Sequence, residues 1–354
     1  MSSLASSRWP LRPELAGLHA YQPEAPLGDA ALDANENPLA PPAAWMERAT
    51  ERLRGAELNR YPDPACGALR AKLAALHSVP PDSLLFGNGS DELISLLLTA
   101  FGGPGAKLLV PAPTFSMYKL CALGQGWQVL EEALSPGFEL TEAFVERARA
   151  EKPRLIFLAS PNNPTGNAFD PGLIEALMGI EGVTLALDEA YVEFSGRSWL
   201  AQAPAQGRVL VLRTFSKAWG LAGLRLGWLC GPPALVAELE KLRLPYNIDA
   251  LAQALAEEAV AMAPEFLGRV PALLEGRGQI RQALEKMPGV LVYPSDANFL
   301  LFRCPDAVRL HQHLLDAGLR ARRFSAGPLD GCLRLSVGTP QQNQRIENAL
   351  KGFQ

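Results

Sequence analysis

Cysteine is scarce: five residues in 354 (Cys66, Cys121, Cys230, Cys304 and Cys332) stand far apart with no CxxC pair. That spacing argues against a disulfide framework and a zinc site, and it fits the reducing cytoplasm. The four histidines supply no metal set either. His311 and His313 are two apart, on different faces of a helix, and His19 and His77 have no partner pattern. Net charge is only -4, which gives no electrostatic reason to expect nucleic acid or a membrane surface as partner. No apolar run reaches roughly eighteen residues, and the start "MSSLASSRWPLRPELAG" lacks the continuous apolar stretch of a signal peptide. Two phosphate-binding motifs are missing as well. "GNGSDE" has Glu92 where a dinucleotide GxGxxG needs its third glycine, and "GGPGAKLL" has Ala106 before Lys107 and so lacks a GK[ST] ending.

What is present is an ordinary globular composition, 48% hydrophobic and 20% charged, in a chain long enough for two domains or one large α/β domain with an appendage. Short apolar runs recur with helix-like stretches between them: "KLLVPAP", "WQVLEEAL", "RLIFLASP", "VTLALDEAY", "RVLVLRTF" and "GWLCG". Buried runs without strict alternation, separated by helical patterns such as "DELISLLLTAF", are how a mostly parallel, doubly wound α/β sheet reads. After about residue 250 long amphipathic stretches and the alternating segments "VLVYPSDANFLLFR" and "GCLRLSVGT" predict a smaller α+β domain. The expected division is an N-terminal arm with part of the small domain over 1–44, a large domain over 45–250, and a small C-terminal domain over 251–354.

The chemistry centres on "TFSKAWGLAGLRLGW". A lysine in a dry pocket loses its proton readily and attacks carbonyls, so Lys217 is a candidate for a Schiff base with a substrate or with pyridoxal phosphate. Thr214 and Ser216 bring hydroxyls, Arg225 a guanidinium suited to a phosphate, and the intervening glycines a close-turning backbone. In "FGNGSDELISLLL", Ser90 and Asp91 open a predicted helix whose free N–H groups and dipole attract an anion. Asp188 ends the apolar run of "LALDEAYVEF", where a buried carboxylate needs a cation, and a protonated pyridine nitrogen is one. Asn163 in "ASPNNPTGNAF" also follows a predicted strand. Ligands collect past the carboxyl ends of strands in open α/β sheets, so Asn163, Asp188 and Lys217 are expected in one crevice.

In this order "PNNPTG", "DEAY" and "SKAWGLAGLRLG" resemble the fold-type I pyridoxal-phosphate aminotransferases. "LDANENP", "LNRYPDP", "GNGSDE", "PAPTFSMY", "SDANF" and "LRLSVGT" are similar to the histidinol-phosphate aminotransferase group, over residues from about 21 to 340. The resemblance implies pyridoxal 5'-phosphate as cofactor, with Lys217 its Schiff-base lysine and the catalytic base. Asp188 would pair with the pyridinium nitrogen, Tyr191 and Asn163 would hold the ring oxygen, and Phe115, without a tyrosine's hydroxyl, would only stack on the ring. Ser90, Asp91, Thr214, Ser216 and Arg225 would hold the cofactor phosphate, and Tyr61 would reach over from the partner subunit of a homodimer. Arg334 would grip the carboxylate of glutamate and the phosphate of histidinol phosphate. Tyr21 and Arg322 would assist, with Arg320 and Arg323 close enough to leave that choice open. The implied reaction transfers the amino group of L-histidinol phosphate to 2-oxoglutarate. An aminotransferase for aromatic or broader amino acids, a threonine-phosphate decarboxylase and, from another class, a catalytically silent ligand-binding domain are the rival readings.

Overall fold

The computed structural model describes residues 29–353 together with Arg12, Leu15 and Leu18. Tyr21 lies outside the described residues. The described chain opens with a two-residue strand, β1 (Ala30–Ala31), and then builds a seven-stranded sheet. Its strands are β2 (Leu84–Asn88), β3 (Lys107–Ala112), β4 (Gln128–Ala133), β5 (Leu155–Ala159), β6 (Thr184–Asp188), β7 (Val209–Thr214) and β8 (Leu226–Cys230), in the order β2-β8-β7-β6-β5-β3-β4. β8 runs antiparallel to both its neighbours, and the remaining pairs are parallel. Every residue of β5, β6 and β7 is buried, because helices cover both faces, and this explains their unbroken apolar runs. β4, at the edge, buries only Leu130. β2 carries no such signal in the sequence: "LLFGN" is short and runs straight into a glycine turn, so it reads as part of the loop before the helix.

Four further strands form a second sheet in the order β12-β13-β10-β9, with β9 (Leu291–Val292), β10 (Phe299–Arg303), β12 (Arg322–Arg323) and β13 (Cys332–Ser336) all antiparallel. Between them β11 (Leu319–Arg320) pairs in parallel with β1. Ala30 and Leu32 thereby enter the apolar cluster of the small domain. The division of the core falls later than residue 250. The helix Ala250–Ala261 packs with the helices Ala43–Arg54 and Gly67–His77 in the large-domain cluster, and Trp45 Nε1 donates to Leu255 O at 3.2 Å. Both clusters meet at Leu267. A long amphipathic helix identifies a buried face in sequence, but not which core buries it.

One close approach matters for the site. β2 and β8 place Gly87 opposite Gly227, and a Cβ on Gly227 would stand 2.5 Å from the backbone nitrogen of Ser90. Only glycine lets β8 run this close to the start of the helix Ser90–Phe101. Gly227→Ala is expected to cost about 1–3 kcal/mol in denaturant unfolding. Gly223→Ala, whose Cβ would meet nothing within 4 Å, serves as the neutral control. Equal stability of the two variants would contradict the steric argument.

Candidate active site

Parallel register brings the polar groups together. Ala159 at the end of β5 pairs with Asp188 at the end of β6, and Asp188 pairs with Leu212, two residues before Thr214 ends β7. The loops after these strands leave the sheet on one edge and border a cavity of about 550 Å³. Asn163, Asp188, Tyr191, Thr214, Ser216 and Lys217 line it. Ser90, Asp91, Phe115 and Arg225 line it from the neighbouring loops, and Arg322 and Arg334 from the small domain. Tyr61 does not. Its ring is 80% exposed and stacks on Tyr246 at 4.5 Å.

Asp188 is almost wholly buried, and burial raises its carboxyl above the ordinary carboxylate range. Two hydrogen bonds work against that shift: Tyr118 Oη donates to Oδ2 at 2.6 Å, and the Ala190 N–H donates to Oδ1 at 3.0 Å. The Lys217 charge favours the anion too. Tyr118 is fully buried and stacked on Phe157, ring centroids 4.8 Å apart, so its hydroxyl has little freedom to turn away. The sequence reading missed it. Its signal was spacing, because a residue three after Phe115 on the helix that follows lies one turn along the same face. Glu189, next to Asp188, points to the other side and is also buried. It accepts from Ser198 Oγ at 2.7 Å and the Trp199 N–H at 2.6 Å, and it faces the Arg213 guanidinium.

Lys217 is half-buried, and its Nζ donates to Ala34 O at 2.9 Å. Asn35 is a second omission. Its Nδ2 donates to Tyr191 Oη at 3.0 Å, which leaves the tyrosine proton available to a ligand. Asn163 Oδ1 accepts from Arg334 Nη1, so the Asn163 amide NH₂ also remains for a ligand.

Ser90, Asp91, Thr214, Ser216 and Arg225 form a set of groups suited to an anion. Gly89 caps the helix Ser90–Phe101 at φ 75°, and the free N–H groups of its first turn adjoin the cavity. Ser90 is therefore the first helical residue rather than the cap. Arg225 takes a left-handed φ of 49° and sets Nη2 3.4 Å from Asp91 Oδ2. As an anion, the Asp91 carboxylate pairs with Arg225, so Asp91 offers an incoming anion its N–H only. Thr214 Oγ1 accepts from the Ser216 N–H at 3.1 Å and donates to Ser216 Oγ at 3.0 Å, which holds two hydroxyls side by side.

On the small-domain side Arg322 and Arg334 face each other in register across β12 and β13. Arg334 Nη2 donates to Asp33 O, and its guanidinium carbon lies 5.4 Å from the centroid of the Phe299 ring. Arg320 is engaged elsewhere, 2.8 Å from Asp33 Oδ1. Neither Arg320 nor Arg323 is among the cavity-lining residues. Among the described residues no group of histidine, cysteine or carboxylate side chains could hold a metal, and no helix is long and apolar enough to cross a membrane.

An amine, a buried carboxylate and two sets of anion-binding groups line one cavity, an arrangement that suits a cationic ring with an anionic tail. The sequence model of the family described as aminotransferase class I and II matches residues 30–350, and the chain belongs to that family, whose members use pyridoxal 5'-phosphate. It is 40% identical over 355 residues to histidinol-phosphate aminotransferase 2 of Nitrosococcus oceani, covering 98% of this chain and 97% of that one. Identity to the histidinol-phosphate aminotransferase of Methylibium petroleiphilum is 40% over 350 residues, or 97% and 94% of the two chains. The crystal structure of histidinol-phosphate aminotransferase from Sinorhizobium meliloti in complex with pyridoxal 5'-phosphate superposes with a TM-score of 0.88 at 25% identity, covering 99% of this chain and 98% of that one.

The raised carboxyl of Asp188 has a consequence for stability. A group lifted above its unfolded value favours folding when protonated, below the unfolded pKa, and that contribution is lost as pH rises through the folded value. By pH 7 Asp188 therefore costs the cofactor-free protein stability relative to acid pH. Calorimetry of cofactor-free Asp188→Asn should show a melting temperature at or above wild type at pH 7, with the gap closing near about pH 4. Its kcat with cofactor should fall by about 10²-fold or more. A variant that melts well below wild type at pH 7 contradicts this account.

Proposed function

We propose that the chain transfers the amino group of L-histidinol phosphate to 2-oxoglutarate, giving imidazole-acetol phosphate and L-glutamate, as a step in histidine biosynthesis. One observation carries the reading: Arg322 and Arg334, paired in register on the small sheet, line the cavity together with Arg225 and Ser90 of the large domain, which gives it two sets of groups suited to anions. The set at Arg225 and Ser90 suits a cofactor phosphate. The set at Arg322 and Arg334 suits a substrate that carries its own phosphate or, in the other half-reaction, a carboxylate. The names of the relatives support the same substrate.

The residues present fit pyridoxal 5'-phosphate. Asp188 is a buried carboxylate in want of a cation, and the glycines at 89 and 227 keep the backbone N–H groups of the cradle clear, since a Cβ at either would strike Arg225 or Ser90. Asp188, fixed by Tyr118, would face the pyridinium nitrogen. Tyr191 and Asn163 would donate to the ring oxygen, and Phe115 would cover a ring face. Ser90, Asp91, Thr214, Ser216 and Arg225 would hold the phosphate. When bound, the cofactor supplies an electron-withdrawing ring that disperses the charge left at the substrate Cα. Lys217 Nζ takes the Cα proton as general base and gives it back on the other side of the transfer. The Ala34 carbonyl, which accepts from Nζ here, keeps that amine near the cavity wall. Arg334 and Arg322 orient the substrate by its anionic group, so that the Cα proton is presented to the lysine.

A homodimer fits the surface. Leu58, Tyr61, Leu244 and Tyr246 are exposed apolar or aromatic side chains, two of them stacked on each other, and such a group marks a contact surface. A second copy seated there would bring Tyr61 to the neighbouring cavity.

Single-turnover spectra test the substrate. Histidinol phosphate should convert the bound cofactor to its amine form far faster than phenylalanine does, and threonine phosphate should release no carbon dioxide. A preference for phenylalanine would sink the reading. Lys217→Ala should lose at least about 10³-fold in that half-reaction.

A further inference from the structure

The turn over residues 33–37 is held with unusual care. Asn35 takes a left-handed φ of 55° and is 1% exposed. Its N–H donates to Ser336 Oγ at 3.0 Å, and its Oδ1 accepts from the same hydroxyl at 3.2 Å. Asn298 Nδ2 donates to the carbonyls of both Asn35, at 3.1 Å, and Glu36, at 3.4 Å. On the far side Asn37 Nδ2 donates to Ala218 O at 2.9 Å, and its Oδ1 accepts from the Leu39 N–H at 3.0 Å. The backbone is thus clamped on both sides of Glu36, at the expense of a strained residue.

The Glu36 side chain itself is exposed and lines the cavity. Among the described residues its carboxylate makes no hydrogen bond and no ion pair. The other carboxylates of the lining are engaged: Asp33 with Arg320, Asp91 with Arg225, and Asp188 with Tyr118. A carboxylate with no such engagement, in a cavity whose basic side chains are Lys217, Arg225, Arg322 and Arg334, is an acceptor left for a ligand's donor.

We infer that Glu36 recognises the nitrogen heterocycle of the amine substrate, by accepting a hydrogen bond from its ring N–H. The inference rests on the substrate reading above and deepens it: the arginines take the anionic arm, and Glu36 takes the arm that carries an N–H. A site that hydrogen-bonds a substrate group discriminates against analogues that lack it, because its own polar group is then left unmet. A fixed backbone serves that purpose, since it spares the ordering cost at each binding event.

The test compares half-reactions of the holoenzyme with histidinol phosphate, with glutamate, and with 2-amino-3-hydroxypropyl phosphate, which keeps the amine and the phosphate but has no ring. Glu36→Ala should lower kcat/KM for histidinol phosphate by about ten- to one-hundredfold, mainly through KM. Glu36→Gln keeps an acceptor oxygen and should lose less. Neither variant should slow glutamate or the ringless phosphate, and this also shows that the fold is intact. If all three substrates slow by one factor, Glu36 acts on the shape of the site and the inference falls. If histidinol phosphate is unaffected while the wild type consumes it, the inference falls and the substrate reading stands. A wild type that does not react with histidinol phosphate removes both.

Discussion

A carboxylate taken out of water at the end of β6 is the constraint on which the site depends. Asp188 cannot be buried at that position without donors, and the structure supplies two, the Tyr118 hydroxyl and the Ala190 N–H. Tyr118 is in turn packed on Phe157 and meets Phe115 edge-on, with centroids 5.5 Å apart. One helix start after β3 thus provides both the brace for the carboxylate and the aromatic face beside it. What this arrangement lacks is a positive charge on the cavity side, and in the proposed function a cationic ring nitrogen meets that need.

The rest of the cavity follows from strand order. Parallel neighbours send their carboxyl ends to the same edge, so the loops after β5, β6 and β7 converge with no need for the sequence to place them near one another. β8 reverses direction and passes the Gly89–Ser90 turn closely enough that a Cβ at 227 would stand 2.5 Å from Ser90 N. The anion cradle is therefore a product of sheet geometry as much as of Arg225. Another wall comes from elsewhere: β12 and β13 carry Arg322 and Arg334, and the turn over residues 33–37 joins the two halves through Asn35, whose amide meets Tyr191 and whose backbone meets Ser336. Domain packing and catalytic geometry share these hydrogen bonds.

The large sheet was legible where burial on both faces leaves an unbroken apolar run, as in "RLIFLA" and "VLVLRT", and illegible at β2, where five residues end in a glycine turn. Asn163, Asp188 and Lys217 were legible because loop residues with reactive side chains directly follow such runs, whereas Phe115 and Arg322 were expected only from the family resemblance. Tyr118 was not. A tyrosine at helical spacing has the same appearance whether its hydroxyl meets solvent or a carboxylate seventy positions away in the chain. The helix Ala250–Ala261 reads as amphipathic in the sequence, but periodicity reports a buried face and not its partner, here the cluster that also holds Trp45 and Leu69.

The amino-acid order by itself determined the chemistry available: an amine at 217, a carboxylate at 188, guanidinium groups at 225 and 334, and glycines where the backbone must come close. These are properties of side chains and of local backbone freedom, which do not require knowledge of neighbours. Tertiary structure decided the pairings. It gave Arg320 to Asp33, set Arg322 in the cavity wall, bound Asp91 to Arg225, and placed Glu36 along the same wall. Such choices depend on distances between residues far apart in the chain, and hydrogen bonds and ion pairs act over only a few ångströms, so no pattern along the chain could have made them.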